Sequence, residues 1–220
     1  MTSPYSYSGA VNIKNQKEVL LAAPYIIMTE NAAEADKALP HARIIVYSEL
    51  RNAASILQGI SSMDPRIVVA DLSLVVSCFH LQLATYKALL NESQGRMKTK
   101  SIASEVLYQL SPSTKITDAI QQYSIHAEST DIAFVYITPA GGCDSALTTT
   151  DDALLGFKSQ IQSLAIEGKE VDPQEISSSL ILTDEKSARI AKYFKITPQE
   201  LDVSGLEESV ATRLAVKDSL

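Results

Sequence analysis

Three short runs of apolar residues along the chain have the length and composition of buried β-strands. They span residues 44–47, 67–70 and 132–137, and each contains several isoleucine or valine residues. β-Branched side chains pack well on a pleated sheet, and short continuous apolar runs are typical of strands that are covered on both faces. The pattern therefore predicts a small sheet built from segments that lie far apart in the sequence.

The longest periodic segment runs from Leu72 to Leu90, and its apolar residues recur at helical spacing on almost every side. Asp71 stands before it as a suitable N-cap, because an aspartate side chain accepts hydrogen bonds from the free amides of a first helical turn. A helix that is apolar nearly all round lies either in a protein core or in a membrane. His80, Gln82 and Lys87 make a membrane span costly, so we predict a central core helix.

Capping boxes predict helix starts in the last third of the chain. Asp172, Thr197 and Ser204 each stand three residues before a glutamate, and a proline directly follows the first two. Such residues satisfy the free amides of a first turn, and proline fits the first helical position. Earlier in the chain, the spacing predicts a helix that ends near Leu110 and a short helix over residues 116–123.

These elements place the chain in the α+β class, as a helix-rich single domain with a small β-sheet packed by several helices. The domain is predicted to span residues 40–220, which is long enough to bury a sizeable core. Residues 1–39 open with a segment rich in serine and tyrosine and are predicted to form an N-terminal extension.

The charge of the chain is unevenly distributed. Its 19 basic and 26 acidic residues give a net charge of −7, which argues against an autonomous nucleic-acid-binding domain. Residues 131–220 hold 15 acidic and 8 basic side chains, so the acidity is almost entirely C-terminal. Carboxylates in the first turns of capped helices complement the helix dipole and explain much of it. The two cysteines cannot form a disulfide framework, so we expect a reducing compartment, cytoplasm or nucleus.

Motifs of catalysis and metal binding do not occur in the sequence. It contains no glycine-rich phosphate loop and no G-x-S-x-G elbow, and its three histidines and two cysteines lack the spacing of metal ligands. We therefore expect no catalytic residue, no metal, no cofactor and no membrane segment. An enzyme with a dispersed active site stays open as an alternative.

One segment differs from its acidic surroundings. Between residues 93 and 104 the chain has three cations, Arg96, Lys98 and Lys100, and no acidic residue. Three cations on one side of a loop can neutralise two or three phosphates of a nucleic acid. The alternative is a solvated surface loop, which is common for lysine and arginine. The spacing alone leaves both interpretations open.

The same segment carries a family resemblance. The sequence from Gly95 to Ile125, which includes G-R-M-K-T-K, L-S-P and I-T-D-A, resembles the signature block of the PRPK-binding protein family, a small accessory subunit of the KEOPS (EKC) complex. Glu105 stands where that block carries a glutamate. The segment Tyr193–Ile196 resembles the family's aromatic-Lys-aliphatic segment, and Arg213–Leu220 resembles the tails of animal members. The resemblance covers roughly residues 40–220.

The resemblance implies a non-catalytic role in tRNA modification. KEOPS installs threonylcarbamoyl groups on the adenosine next to the anticodon. The family's member binds the small atypical kinase/ATPase subunit directly, on its N-terminal lobe, and the other KEOPS subunits indirectly. It also helps to recruit tRNA, in archaeal relatives through the 3′ CCA end, and the chain alone is expected to bind tRNA weakly. The implied location is cytoplasmic and nuclear. A free-standing RNA-binding module stays open as the alternative.

The implied function also identifies candidate contact residues. Phosphate contacts position a nucleic acid without reading its sequence, which suits a tRNA-holding surface. The candidate tRNA contacts are Arg96, Lys98, Lys100, Arg213, Lys217 and Leu220. Interface cores favour aromatic and aliphatic side chains, so apolar helix faces are expected to meet the kinase. The candidate kinase contacts, for which core packing is the alternative, are Leu74, Leu81, Tyr193 and Phe194.

Overall fold

The fold is built around a four-stranded antiparallel sheet. In a computed structural model of the protein, the described residues are 42–137, 148–178 and 181–217, and for residues 148–154 the description is limited to the backbone. The strands are β1 (Ala42–Ser48), β2 (Ile67–Asp71), β3 (Ile132–Ile137) and β4 (Lys169–Val171). They are arranged in the order β2-β3-β1-β4. The three predicted strands are confirmed, and β4 is a short polar strand that the apolar pattern did not predict.

Seven α-helices lie within the described residues and confirm the helix-rich α+β class. They are α1 (Ala53–Gly59), α2 (Cys78–Ser93), α3 (Ile102–Leu110), α4 (Ile116–Tyr123), α5 (Thr148–Ser163), α6 (Asp184–Tyr193) and α7 (Pro198–Val216). Two short 3-10 turns cover Ile60–Ser62 and Pro173–Ser177. The predicted extension over residues 1–39 lies outside the described residues.

Helices cover both faces of the sheet, because alternate side chains of a strand point to opposite sides. Ile44 of β1 pairs with Val135 of β3, and both belong to a core that also includes side chains of α2, α3, α6 and α7. Val69 of β2 pairs with Phe134 of β3, and both belong to a second core with side chains of α1 and α5. The strands β1, β2 and β3 therefore lie between two layers of helices, whereas the edge strand β4 is largely exposed.

The predicted helix from Leu72 to Leu90 is wrong at its start. Asp71, the predicted N-cap, is the last residue of β2, and its carboxylate accepts a hydrogen bond from the backbone amide two residues later at 2.7 Å. Residues 72–77 form a mostly buried connection without helical structure. Helix α2 begins at Cys78, where Ser77 caps it by accepting from the amide three residues later at 3.2 Å. In the described part of the chain, no helix is both long and apolar enough to cross a membrane.

Two of the three predicted capping residues are confirmed by their hydrogen bonds. Asp172 accepts a hydrogen bond from the amide two residues later at 2.8 Å, although the element it caps is a 3-10 turn. Thr197 accepts from the amide of Glu200 at 3.3 Å at the start of α7. The helix start predicted at Ser204 agrees with the structure, because α7 consists of two helical segments that meet at a kink at Gly205 (φ 71°, ψ 172°). Only glycine adopts this backbone conformation without strain.

Candidate functional site

The three cations singled out in the sequence lie in one loop, residues 95–101, called here the basic turn. Gly95 (φ 63°) and the residue after it donate hydrogen bonds to the carbonyls of Glu92 and Asn91, at 3.1 and 2.8 Å. These are the two bonds of a Schellman motif, which ends a helix with a left-handed glycine. At the other end, the Ser101 hydroxyl caps α3 by accepting from the amide three residues later at 3.2 Å. Both ends of the basic turn are therefore fixed.

The middle of the basic turn is held by Glu105, a carboxylate on α3 that is 0% exposed. Its Oε2 accepts from the backbone amides of Lys98 and Thr99, both at 3.0 Å, and from the Thr99 hydroxyl at 2.9 Å. Its Oε1 accepts from the side-chain amides of Asn91 and Gln109, both at 3.0 Å. Burial acts to raise the pKa of Glu105, but these hydrogen bonds outweigh it and the pKa lies below its ordinary value. Glu105 is therefore a buried anion at neutral pH.

The side chains of the three cations are on the surface. Arg96, Lys98 and Lys100 are all exposed. The Nζ atom of Lys98 lies 5.7 Å from the centroid of the Tyr108 ring, within the range of a cation–π contact. The basic turn thus presents exposed positive charge on a restrained backbone. A contact between these cations and phosphates stays a prediction.

The C-terminal candidates are less accessible than the basic turn. Lys217 is 2% exposed, and its Nζ lies 3.3 Å from the centroid of the Tyr108 ring and 2.5 Å from the Tyr108 carbonyl oxygen. We assign Lys217 to the core, because an ammonium group in this position does not reach a nucleic acid. Arg213 is partly exposed, but it pairs with Glu200 at 2.7 Å. Leu220 lies outside the described residues.

The four candidate kinase contacts divide between the core and the surface. Leu81 and Phe194 are buried, and the Phe194 ring meets the His80 ring edge-on at a centroid distance of 5.7 Å. We therefore assign these two residues to core packing, the alternative stated for them. Leu74 and Tyr193 line a surface groove, although Leu74 is largely covered. Leu74 lies in the connection before α2 and not on that helix.

This groove, called here the α6 groove, has a volume of about 470 Å³. It is lined by Ser73, Leu74, Gln122, Arg189, Lys192 and Tyr193. Arg189 donates from Nη2 to the carbonyl of Ser73 at 3.1 Å, and the hydroxyls of Tyr193 and Ser111 are 2.7 Å apart. Two cations beside an aromatic ring suit an anionic ligand with a planar part, such as a nucleotide.

Lys186 is a buried cation on the same helix, and its Nζ has no hydrogen-bond partner among the described residues. Burial lowers its pKa to about 8, although the carboxylates of Asp131 and Asp71 act in the opposite direction. Lys186→Met is expected to raise the free energy of unfolding at pH 7 by about 2 kcal/mol, since it removes a desolvated charge and keeps the packing volume. Denaturant unfolding measures this change.

The pH dependence of the stability gained by Lys186→Met provides a control for this prediction. The folded lysine loses its proton near pH 8 and the unfolded one near pH 10.5, so the wild-type chain becomes more stable across this window. The advantage of Lys186→Met is therefore expected to disappear by about pH 10.5. A gain that persists at that pH would show that the charge is not its cause.

An exposed apolar face on α2 was not among the sequence-based candidates. Phe79, Leu83, Tyr86 and Leu90 follow one another at intervals of four, three and four residues, so they share one side of the helix. They are called here the apolar stripe. Phe79 and Leu90 are 38% and 40% exposed, and the other two are half-buried. The periodicity of the sequence places these four residues on one side of the helix, but it does not show which side is exposed, because α2 is apolar on nearly every side.

The fold places the protein in the class of helix-rich α+β proteins. Its exposed features are an apolar stripe, a restrained basic turn and a groove with two cations. Within the ranges that the structure covers, no three His, Cys, Asp or Glu residues are grouped as metal ligands. The sequence model of the family described as "Kinase binding protein CGI-121" matches residues 47–218. The chain belongs to this family.

Relatives of known complex membership resemble the chain over most of their length. The protein from Danio rerio named EKC/KEOPS complex subunit TPRKB is 28% identical over 174 residues, which cover 79% of this chain and 89% of the relative. The Schizosaccharomyces pombe EKC/KEOPS complex subunit cgi121 is 30% identical over 176 residues, or 78% and 88% of the two chains. The Gibberella zeae subunit CGI121 is 28% identical over 155 residues, or 70% and 75%. The family resemblance seen in the sequence is confirmed.

Proposed function

We propose that this protein is the kinase-binding subunit of a KEOPS/EKC complex. In this role it binds the small atypical kinase/ATPase subunit and helps to recruit tRNA for threonylcarbamoyl modification of the adenosine next to the anticodon. The family match over residues 47–218 and the names of the relatives support the proposal. The observation that carries it is the apolar stripe on α2, whose end residues Phe79 and Leu90 are exposed, as in surfaces that a protein partner buries. The role is that of an accessory subunit without catalytic residues.

The apolar stripe is the proposed docking surface for the N-terminal lobe of the kinase subunit. Exposed apolar patches mark interaction sites, and the cores of interfaces are enriched in aromatic and aliphatic side chains. The stripe from Phe79 to Leu90 extends about 16 Å along α2, given a rise of about 1.5 Å per residue. The name of the matching family, which refers to kinase binding, supports a kinase as the occupant. Contacts with the other subunits are then indirect.

The experiment that tests this function is co-elution with the cognate kinase subunit. The purified chain and the kinase, mixed in equal amounts at micromolar concentration, are expected to elute from a size-exclusion column as one stable heterodimer. Separate elution of the two proteins would overturn the proposed function.

The proposed tRNA contacts are the basic turn and the α6 groove. The basic turn precedes α3, and Ser111, which contacts the groove residue Tyr193, follows α3. A helix of this length separates the two surfaces by about 13 Å, a distance that one nucleic-acid strand spans. The net charge of −7 opposes RNA binding by the chain alone. We therefore expect weak tRNA binding by the isolated chain and stronger retention by the complex.

Charge reversal in the basic turn is expected to weaken tRNA retention. Arg96→Glu, Lys98→Glu and Lys100→Glu together should lower the tRNA affinity of the assembled complex at least about tenfold and reduce the slope of its salt dependence by about two to three. Each cation that neutralises a phosphate releases counterions, which explains both effects. Pairing with the kinase should not change, because the apolar stripe lies outside the turn. Titration of tRNA at several salt concentrations measures both quantities.

A matched triple variant separates local contacts from net charge. The exposed residues Arg51, Lys158 and Lys169 lie on the side of the chain with α1, α5 and β4. Their reversal to glutamate changes the net charge equally and is expected to leave tRNA affinity within about twofold of the wild type. Equal weakening by both variants would attribute the effect to net charge. Unchanged affinity in the first variant would identify the basic turn as a solvated loop.

A further inference from the structure

We infer that Glu105 is a positioning residue for tRNA binding, whose buried carboxylate holds the basic turn in one conformation and so fixes where its three cations stand. The inference rests on the proposed tRNA role of the basic turn. Glu105 does not meet the tRNA itself, because it is fully buried on α3. It acts through the backbone of the turn.

The restraint of the basic turn by Glu105 is most direct at the backbone amides in the middle of the turn. The Schellman motif at Gly95 and the cap at Ser101 fix the two ends of the turn from the adjoining helices. Between them, the amides of Lys98 and Thr99 both donate to Oε2 of Glu105 at 3.0 Å. Removal of that oxygen leaves two adjacent amides without this acceptor, at the point where the chain carries its exposed cations.

The other oxygen of Glu105 connects the turn to both flanking helices. Oε1 accepts from the side-chain amide of Asn91 on α2 and from that of Gln109 on α3, each at 3.0 Å. Asn91 also supplies the carbonyl that accepts from the amide of Arg96 at 2.8 Å. The same network therefore restrains the backbone at Arg96 and at Lys98.

The donor set explains why a carboxylate stands at this position. Five hydrogen bonds converge on Glu105, three on Oε2 and two on Oε1. An ionised carboxylate accepts at both oxygens, whereas the amide of glutamine accepts at one atom and donates from the other. Glutamine would therefore direct an N–H group at donors on one side of the network. Loss of this acceptor is therefore expected to change the conformation of the turn as well as the stability of the fold.

The positioning by Glu105 affects tRNA affinity because it orders the basic turn before the tRNA binds. A loop that becomes ordered only on binding loses conformational entropy at that moment, and long lysine and arginine side chains add to the loss. A turn that is fixed in advance avoids part of this cost. Loss of Glu105 is therefore expected to lower the tRNA affinity while the number of phosphate contacts stays the same.

The test compares Glu105→Gln with the wild type, both as the free chain and in the complex with the kinase subunit. Amide hydrogen exchange at Lys98 and Thr99 is expected to accelerate at least about tenfold in the free variant. The tRNA affinity of the complex is expected to fall about five- to tenfold. The slope of the salt dependence should keep its wild-type value because all three cations remain. A loss of stability alone would not produce this combination.

Two further variants control for folding. Thr85 is buried on α2 and donates to the carbonyl of Leu81 at 2.8 Å. Thr85→Val is expected to lower the overall stability without changing amide exchange at Lys98 or tRNA affinity. Asn91→Ala removes one donor to Glu105 and should give a smaller change of the same kind as Glu105→Gln. It takes the place of Glu105→Gln if that variant does not fold.

The outcomes separate this inference from the function on which it rests. Unchanged exchange at Lys98 and Thr99 would overturn the positioning role directly. Faster exchange with unchanged tRNA affinity would also overturn it, provided that charge reversal of the basic turn weakens tRNA binding. Unchanged affinity after both charge reversal and Glu105→Gln would refute the tRNA role of the turn, and the positioning role with it.

Discussion

Phe79→Asp combined with Leu90→Lys is expected to weaken binding of the kinase subunit at least about 100-fold, which is about 2.7 kcal/mol of binding free energy. The two side chains lie at the ends of the apolar stripe and are its most exposed members, at 38% and 40%. Apolar side chains that an interface buries can contribute about 1 to 2 kcal/mol each, and a charge in their place adds a desolvation cost. Size-exclusion chromatography and calorimetric titration with the kinase measure the loss.

The substitutions are chosen to leave α2 itself intact. Phe79 lies in the first turn of the helix and Leu90 in the last, so aspartate and lysine complement the helix dipole at these positions. The matched control is Leu57→Lys with Leu155→Asp, which introduces the same two charges at leucines that are 46% and 64% exposed on α1 and α5. This pair should leave kinase binding unchanged. Loss of binding in the control pair alone would place the kinase on the opposite side of the sheet.

The start of α2 shows what periodicity cannot resolve. Residues 72–77 have apolar side chains at helical spacing, yet they form a connection that is covered by the surrounding helices. A non-local interaction determines that these residues do not join the helix. Asp71 pairs with Ile132 of β3, and this pairing extends β2 by one residue. The three apolar strands and the caps at Asp172 and Thr197 depend on local sequence alone, so the sequence was sufficient to predict them.

Tertiary packing determines which side chains form the contact surfaces, even more than it determines the start of α2. Leu81 and Phe79 are two residues apart on the same apolar helix, and packing buries the first while it exposes the second. Lys217 resembles a cation of a solvated tail, but a carbonyl and a ring that lie 109 residues earlier, at Tyr108, hold it in the core. In the sequence, Glu105 is distinguished only as a position of the family signature. Its role follows from donors on two helices and a turn, which no local pattern reveals.

His80 is a titratable group buried at the centre of the helical layer. Its Nε2 lies 3.0 Å from the carbonyl oxygen of Leu110, which only accepts, so this nitrogen carries the hydrogen. Its Nδ1 accepts from the amide of Val76 at 3.5 Å. The ring packs edge-on against Tyr123 and Phe194, with centroids 6.2 and 5.7 Å away. Burial lowers the pKa of His80 to about 4, against the opposing effect of the Leu110 carbonyl.

Acidification from pH 6.5 to pH 4 is therefore expected to remove about 3 kcal/mol of unfolding free energy through His80, at about 1.4 kcal/mol per unit of pKa difference. In the unfolded chain the imidazole takes up its proton near pH 6.5, whereas in the folded chain it stays neutral down to about pH 4. The unfolded state binds more protons throughout this window, so stability falls as the pH falls. Denaturant unfolding at pH 7, 6, 5 and 4 measures the loss.

His80→Gln isolates this contribution from that of the carboxylates, which titrate in part of the same range. Glutamine can still donate to the Leu110 carbonyl but does not titrate, so the variant should be less stable at pH 7 and lose about 3 kcal/mol less on acidification. His126→Gln, at an exposed position, is the matched control and should show the full wild-type loss. Parallel stability curves for the wild type and His80→Gln would contradict the prediction, because they would mean that His80 takes up no more protons in the unfolded chain than in the folded one.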